Sequence, residues 1–221
     1  MSDSGARATP PDPPETTRPH RLSLILVRHG CSTWNTEQRI QGQLDPPLSE
    51  LGEEQARLLG ERLADMQFDG FYTSDLRRAA DTAGAVAERL GRAPQSVPEL
   101  REIALGEWEG LTRAEITERY PKQWQAWLKQ PDWDIVPGGE GTRHFEERVG
   151  RGLDQLMERH PTGRVLVVTH GGVIQVALLR VVGRSSNGLF PFTIENTSLT
   201  VIEGRPPRMV VSRVNDTCHL N

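Results

Sequence analysis

Two kinds of apolar pattern alternate along the chain: short unbroken runs and longer stretches at helical spacing. Leu22-Ser23-Leu24-Ile25-Leu26-Val27 and Arg164-Val165-Leu166-Val167-Val168-Thr169 have the length and composition of buried strands. Phe68 to Thr73 predicts a short strand, Val97 to Arg101 a brief one, and residues 198–203 and 209–214 two more at the end. A helix is expected from Ser49 as N-cap, with Leu51, Leu58, Leu59, Leu63 and Met66 on one face. Ser74-Asp75 opens a second, with Leu76, Ala79, Ala80, Ala83, Val86, Ala87 and Leu90 in helical register up to Gly91. Thr142 caps a third that turns Phe145, Val149, Leu153, Leu156 and Met157 inward and stops at Pro161, and a fourth covers Val173 to Val182.

This alternation predicts an α/β fold of three layers, α/β/α, around a mostly parallel sheet with the last strands antiparallel at an edge. Residues 106–134 hold four of the five tryptophans, at positions 108, 124, 127 and 133, before the break at Pro137-Gly138-Gly139. A small helical lid subdomain over about 105–140 is therefore expected. The first 21 residues carry Pro10, Pro11, Pro13, Pro14 and Pro19 among polar residues, which predicts a disordered tail and leaves 22–221 as one domain.

Bulk properties narrow the partners. A net charge of −4 and a pI near 5.9 give no reason to expect nucleic acid or a membrane surface, so an anionic ligand would need a local basic patch. No apolar stretch approaches a membrane span and none resembles a signal peptide. Cys31 and Cys218 are the only cysteines, so no disulfide framework is implied and a cytoplasmic location is expected.

The chemistry sits where the two strongest strands end. One stops at Val27-Arg28-His29-Gly30, the other at Thr169-His170-Gly171-Gly172. Ligands of open α/β sheets bind beyond the carboxyl ends of the strands. A single histidine there is as well explained by a satisfied core position; two, on neighbouring parallel strands, point into one cleft. Arg77 and Arg78 stand in the first turn of a helix, where cations oppose the helix dipole, so local helix physics does not account for them. Glu102 follows the brief strand, although Glu107 and Glu109 are close enough in sequence to be mistaken for it. Two arginines, two histidines and a carboxylate make an anion pocket with acid/base machinery. Guanidinium forks match phosphate oxygens, and two of them balance a phosphate without a metal.

With these residues together, the sequence resembles the histidine phosphatase superfamily, in the branch related to cofactor-dependent phosphoglycerate mutase. The resemblance rests on Arg28-His29-Gly30, Trp34-Asn35, Arg39-Ile40-Gln41-Gly42, Ser74-Asp75-Leu76-Arg77-Arg78-Ala79-Ala80-Asp81-Thr82, Leu100-Arg101-Glu102-Ile103 and Thr169-His170-Gly171-Gly172, in that order. It implies a metal-independent phosphomonoesterase that needs no cofactor. His29 would be the phosphorylated nucleophile, with Arg28, Arg78 and His170 holding phosphoryl oxygens and Glu102 as proton donor and acceptor. Asn35, Gln41, Gly42 and the Gly171 backbone would assist, and Trp108 belongs to the region that sets specificity. The implied partner is a small phosphate ester, such as a sugar or glycerate phosphate or phosphoserine. A homodimer through an edge strand is a further implication that the residues themselves do not specify.

Cys31 departs from the glutamate common in relatives. A cysteine phosphatase would require Cys-x5-Arg, and the sixth residue after Cys31 is Glu37. A mutase is the first rival, but it would have a longer chain with extra lid segments and Gly-Trp where this chain has Gly42-Gln43. A non-catalytic phosphate-ester binding module is the second. A metal site built from His29, His170 and Glu102 is the third, opposed by two adjacent arginines that would repel the ion.

Overall fold

The computed structural model describes residues 21–186, 188 and 190–220, so the tail expected over 1–21 lies outside the described residues except for Arg21. The elements in chain order are β1 (Leu22–Arg28), α1 (Thr33–Thr36), α2 (Glu50–Leu63), β2 (Gly70–Thr73), α3 (Arg77–Leu90), β3 (Gln95–Ser96), α4 (Arg113–Arg119), α5 (Pro121–Lys129), α6 (Gly141–Arg159), β4 (Gly163–Thr169), α7 (Gly171–Val181), β5 (Leu199–Arg205) and β6 (Arg208–Asp216). They build a six-stranded sheet in the order β3-β2-β4-β1-β5-β6.

β1 and β4 lie parallel at its centre, paired from Leu22 opposite Gly163 to Arg28 opposite Thr169. β2 continues the parallel half beside β4, with β3 beyond it. On the other side β5 runs antiparallel to β1, and β6 antiparallel to β5. The antiparallel edge is thus a two-stranded hairpin.

The unbroken apolar runs follow from this placement, because central strands bury both faces. Along β1, Leu24 and Leu26 pack into a core with Phe145, Val149 and Leu153 of α6 and Ile174 and Leu178 of α7. Ile25 and Val27 face the opposite core with Leu59 and Leu63 of α2 and Ala79, Ala83 and Val86 of α3. Burying such a side chain contributes about 1.5–3 kcal/mol, so the sheet centre is held from both sides. The two layers of helices cover the central strands and leave their ends open. No helix among the described residues is long and apolar enough to cross a membrane.

Several local expectations are corrected. Val97 to Arg101 is no strand: the ladder stops at Ser96, and Pro98–Leu100 form a 3-10 turn. Pro98 lacks the N–H that a ladder requires. Leu51 is exposed and Leu58 half-buried, while Gly52, Ala56 and Gly60 occupy the inner face of α2. Small residues there let α2 approach α3 closely, and a Cβ on Gly60 would stand 3.0 Å from the Ala85 carbonyl. Ser74-Asp75 precede α3 instead of opening it, and its first N–H is capped from outside, Arg77 N donating to both Asp45 oxygens at 2.8 and 2.9 Å. α6 begins at Gly141, so Thr142 lies inside it and its N–H donates to Asp134 Oδ1 at 2.8 Å. α7 begins at Gly171, two residues before Val173, and the polar loop after Gly30 contains the short capped helix α1.

Candidate active site

β1 and β4 end side by side, the His29 N–H donating to the Thr169 carbonyl at 2.9 Å, and this register sets the two imidazoles 5.2 Å apart, centroid to centroid. Gly30 permits the turn, since a Cβ there would collide with the Gly52 carbonyl at the start of α2. The sequence-predicted pair of histidines is therefore one cluster, and both rings are buried.

The protonation of His29 is set by two contacts. Nδ1 lies 2.7 Å from the Gly30 carbonyl, which can only accept, so Nδ1 carries the proton. Nε2 then presents its lone pair, which accepts from Arg78 Nε at 3.3 Å. Burial above all, then the guanidinium groups of Arg78 and Arg28, hold the imidazole well below its ordinary value of 6.5, so the ring is neutral at pH 7.

His170 follows the same logic in mirror image. Its Nε2 lies 2.9 Å from Ser74 Oγ; that hydroxyl accepts from Leu76 N at 3.3 Å and, among the described residues, has no other acceptor for its own proton than Nε2. Nδ1–H of His170 is then a buried donor without a protein acceptor. Burial, Arg78, His29 and Arg28 together push this ring well below 6.5 as well.

Arg78 is fully buried, its Nη2 donating to the Gly42 carbonyl at 2.7 Å and Nη1 to the Leu44 carbonyl at 2.8 Å. It thereby shapes the loop that carries Gln41 and Gly42 into the cavity wall. Gly42 has φ +54°, and a side chain there would run into Glu109. Arg28 donates Nη1 to the Ile194 carbonyl at 2.6 Å, while its Nε is buried without a partner. Gly171, at the first turn of α7, lies against that guanidinium. Two buried donors, Arg28 Nε and His170 Nδ1, thus lack a protein acceptor, Arg28 in the cavity wall and His170 5.2 Å from the His29 ring that also lines it. Leaving a buried donor unsatisfied costs about 1–3 kcal/mol, more when it is charged, which favours an anion there.

Glu102 completes the cluster, with Oε1 accepting from Ile103 N at 3.0 Å and Oε2 from Gly172 N at 3.1 Å. Its two neighbours are otherwise engaged. Glu109 Oε1 accepts from Gln43 N at 2.9 Å and Leu105 N at 2.8 Å, and Glu107 is exposed. Among the described residues, no group of three or more His, Cys, Asp or Glu could hold a metal ion.

Four sequence-predicted residues are not among those lining the cavity: His170, whose ring centroid is 5.2 Å from that of the lining His29, Gly171, which lies against the lining Arg28, Trp108 and Asn35. Trp108 is buried in the core, edge-on to Trp124, and a ladder of rings through Trp127 brings Trp133 to the wall instead, next to Phe190. Asn35 stands behind the site: its Oδ1 accepts from Ser32 N at 3.0 Å and from Asn196 Nδ2 at 3.4 Å, and Asn196 also holds the His29 carbonyl at 2.8 Å. Cys31 is a buried free thiol whose Sγ faces the Ser32 carbonyl at 3.7 Å.

Ser74, Asn196, Trp133 and Arg148 were missed by sequence reasoning. Arg148 left a readable trace, a charge among the inward positions Phe145 and Val149 of α6.

The chain is similar to known proteins over nearly its whole described length. Residues 24–217 match the model of the histidine phosphatase superfamily, branch 1. The chain is 35% identical over 199 residues to phosphoserine phosphatase 1 of Hydrogenobacter thermophilus, covering 90% of this chain and 94% of that one. It is 37% identical over 202 residues to a metal-independent phosphoserine phosphatase of Arabidopsis thaliana, covering 90% and 83%. Among solved structures, a mycobacterial glucosyl-3-phosphoglycerate phosphatase superposes with a TM-score of 0.80 at 31% identity, over 89% of this chain and 100% of that one. A family match over residues 24–217, on a sheet whose strand ends gather two buried histidines, a buried and a half-buried arginine and a carboxylate, makes this protein a phosphatase that belongs to branch 1 of the histidine phosphatase superfamily.

Proposed function

We propose that the enzyme is a metal-independent phosphomonoester hydrolase that works through a phosphohistidine on His29 and acts on small phosphorylated metabolites, sugar or glycerate phosphates foremost. The observation that carries this reading is the fixed lone pair of His29 Nε2, held neutral beside buried donors that lack a protein acceptor.

In the first step Nε2 attacks phosphorus, forming a P–N bond as the ester P–O bond breaks. Arg28, Arg78 and His170 Nδ1–H donate to the equatorial oxygens, Arg78 exchanging its contact with Nε2 for one with phosphate, and these fixed dipoles and charges stabilise the transferring group. A protonated Glu102 gives its proton to the leaving oxygen. In the second step the Glu102 carboxylate takes a proton from water, the resulting hydroxide attacks phosphorus, and phosphate leaves as the P–N bond breaks.

The 105–140 segment is read as a lid, because Leu105 and Trp133 bring it to the cavity wall. The cavity of about 230 Å³ suits a small ester. Relatives named for phosphoserine and for glucosyl-3-phosphoglycerate support alkyl esters as the substrate class. A cytoplasmic location suits the two free cysteines.

The test is an initial-rate panel with EDTA present, over p-nitrophenyl phosphate, 3-phosphoglycerate, phosphoserine and sugar phosphates, scoring phosphate release and isomerisation separately. Release biased to one alkyl ester is expected. Isomerisation without release would establish the mutase instead, loss of activity in EDTA would restore the metal, and silence across the panel would favour the binding module.

The depressed pKa of His29 sets the pH profile. A nucleophile with the ordinary histidine pKa near 6.5 would lose roughly four-fold in kcat/KM between pH 7.5 and 6. Because burial and the two guanidinium groups lower it, the neutral form persists to lower pH. With an aryl phosphate, whose own second ionisation lies lower still, kcat/KM is expected to stay flat over that range. A fall tracking an ordinary histidine would place the nucleophile elsewhere.

A further inference from the structure

The segment that carries Glu102 is not itself a strand of the sheet. Val97 N–H donates to the Thr73 carbonyl at 2.8 Å, and from there the chain leaves the sheet through the Pro98–Leu100 turn. Carbonyls in such a part-buried stretch need donors that no ladder supplies. One side chain supplies most of them: Arg148 of α6 donates Nη1 to the carbonyls of Glu99 and Arg101 at 2.8 and 2.9 Å, and Nη2 to the carbonyl of Glu102 at 3.1 Å.

The same guanidinium is locked from its other side. Nη2 donates to Glu140 Oε1 at 2.6 Å and Nε to Glu140 Oε2 at 3.1 Å, a two-pronged pair whose side chains are each only 17% exposed. Glu140 in turn brackets Ala104: its Oε1 accepts from Ala104 N at 2.8 Å, and its own N–H donates to the Ala104 carbonyl at 3.0 Å. Ala104 and Glu140 are the points where the chain departs into residues 105–139 and returns. Arg148 therefore sits at the base of that excursion and grips the backbone of Glu102 at once.

We propose that Arg148 and Glu140 form a positioning pair for the reaction: they set the place of the Glu102 carboxyl and tie it to the base of the 105–139 excursion, without touching substrate. This rests on the reading of Glu102 as the proton donor. A lysine at 148 retains the charge but has one ammonium in place of a planar fork, so it cannot serve three carbonyls and a carboxylate together.

The expected signature is that of a misplaced acid. An alkyl leaving group needs its proton, whereas p-nitrophenolate leaves without one. Steady-state rates are compared with p-nitrophenyl phosphate and glycerol phosphate for the wild type, Glu102→Gln, Arg148→Lys, Glu140→Gln and the double variant Glu102→Gln/Arg148→Lys. Arg148→Lys and Glu140→Gln should each lower kcat on glycerol phosphate by about 10- to 100-fold, the scale of a displacement near 1 Å, with KM little changed. On p-nitrophenyl phosphate the loss should stay below about three-fold. In the double variant the loss should not exceed that of Glu102→Gln alone, because two residues acting through one proton transfer are not additive.

Equal losses on both esters from Arg148→Lys and Glu140→Gln, or additive losses in the double variant, would overturn the positioning role and leave a merely structural pair. If Glu102→Gln itself slows both esters equally, Glu102 is not the acid, and that result identifies the failed premise. Should Arg148→Lys fold poorly, Glu140→Gln carries the comparison, since it keeps the side-chain volume and the Ala104 contacts.

Discussion

Replacing His29 by alanine should lower turnover of every ester by about four orders of magnitude or more, with the thermal midpoint close to that of the parent. The size of the loss follows from the proposed covalent route. Without Nε2 there is no group to accept the phosphoryl, and the cavity can offer only transition-state donors to an unactivated water. The measurement has two parts. Steady-state rates give the loss, and alkali-quenched reactions with labelled ester test for a base-stable, acid-labile phosphoryl adduct that the parent accumulates and the variant lacks. Because Arg28, Arg78 and His170 remain, the variant should still bind inorganic phosphate. A variant that kept near-parental rates would remove His29 from the chemistry; one that lost phosphate binding as well would show that the ring mainly maintains the pocket.

The same residues explain why so much of the site was readable before the fold was known. β1 and β4 are apolar on both faces because both faces are covered, and that pattern survives any local irregularity. Their histidines then had to converge, since parallel neighbours in register end at the same level. What escaped notice depends on contacts across the chain. The cap of α3 is Asp45, remote in sequence, and the cap over Thr142 is Asp134, so nothing in the local stretch announced where those helices begin. The inner face of α2 carries Gly52, Ala56 and Gly60, four residues apart, beside the expected Leu59 and Leu63, and a search for large apolar residues finds the leucines and passes over positions whose value is close approach.

Glu102 shows the limit in another way. Val97 to Arg101 reads as a brief strand leading to it, but Pro98 ends the ladder and the segment is held by side chains instead. Trp108 was expected near the substrate on account of its position in the aromatic-rich stretch. Its ring is one end of a stack, and only the other end, Trp133 with Phe190, reaches the cavity. Sequence order does not tell which member of an aromatic ladder faces outward.

Arg78→Lys should be the next most damaging single change, lowering kcat/KM by about 10²- to 10³-fold, as expected when one donor to a developing charge is lost. The charge is conserved only where the lysine is protonated, so the loss that persists at low pH isolates geometry. In the parent, Nε faces His29 Nε2 while Nη1 and Nη2 hold the Leu44 and Gly42 carbonyls, three directions fixed by one rigid plane. An ammonium on a flexible stem can meet one or two of them. Either the 41–44 loop then loosens, or the phosphate loses its donor, and both raise KM for the ester and the inhibition constant of inorganic phosphate together. The desolvation that lowers the pKa of Arg78 acts on a buried lysine more severely, from a lower starting value. Arg78→Lys should therefore regain part of its activity as pH falls and the amine is protonated, a trend opposite in sign to that of the parent in the same range. Near-parental kcat/KM with a flat pH profile would mean that charge alone suffices at this position and that the fork is dispensable.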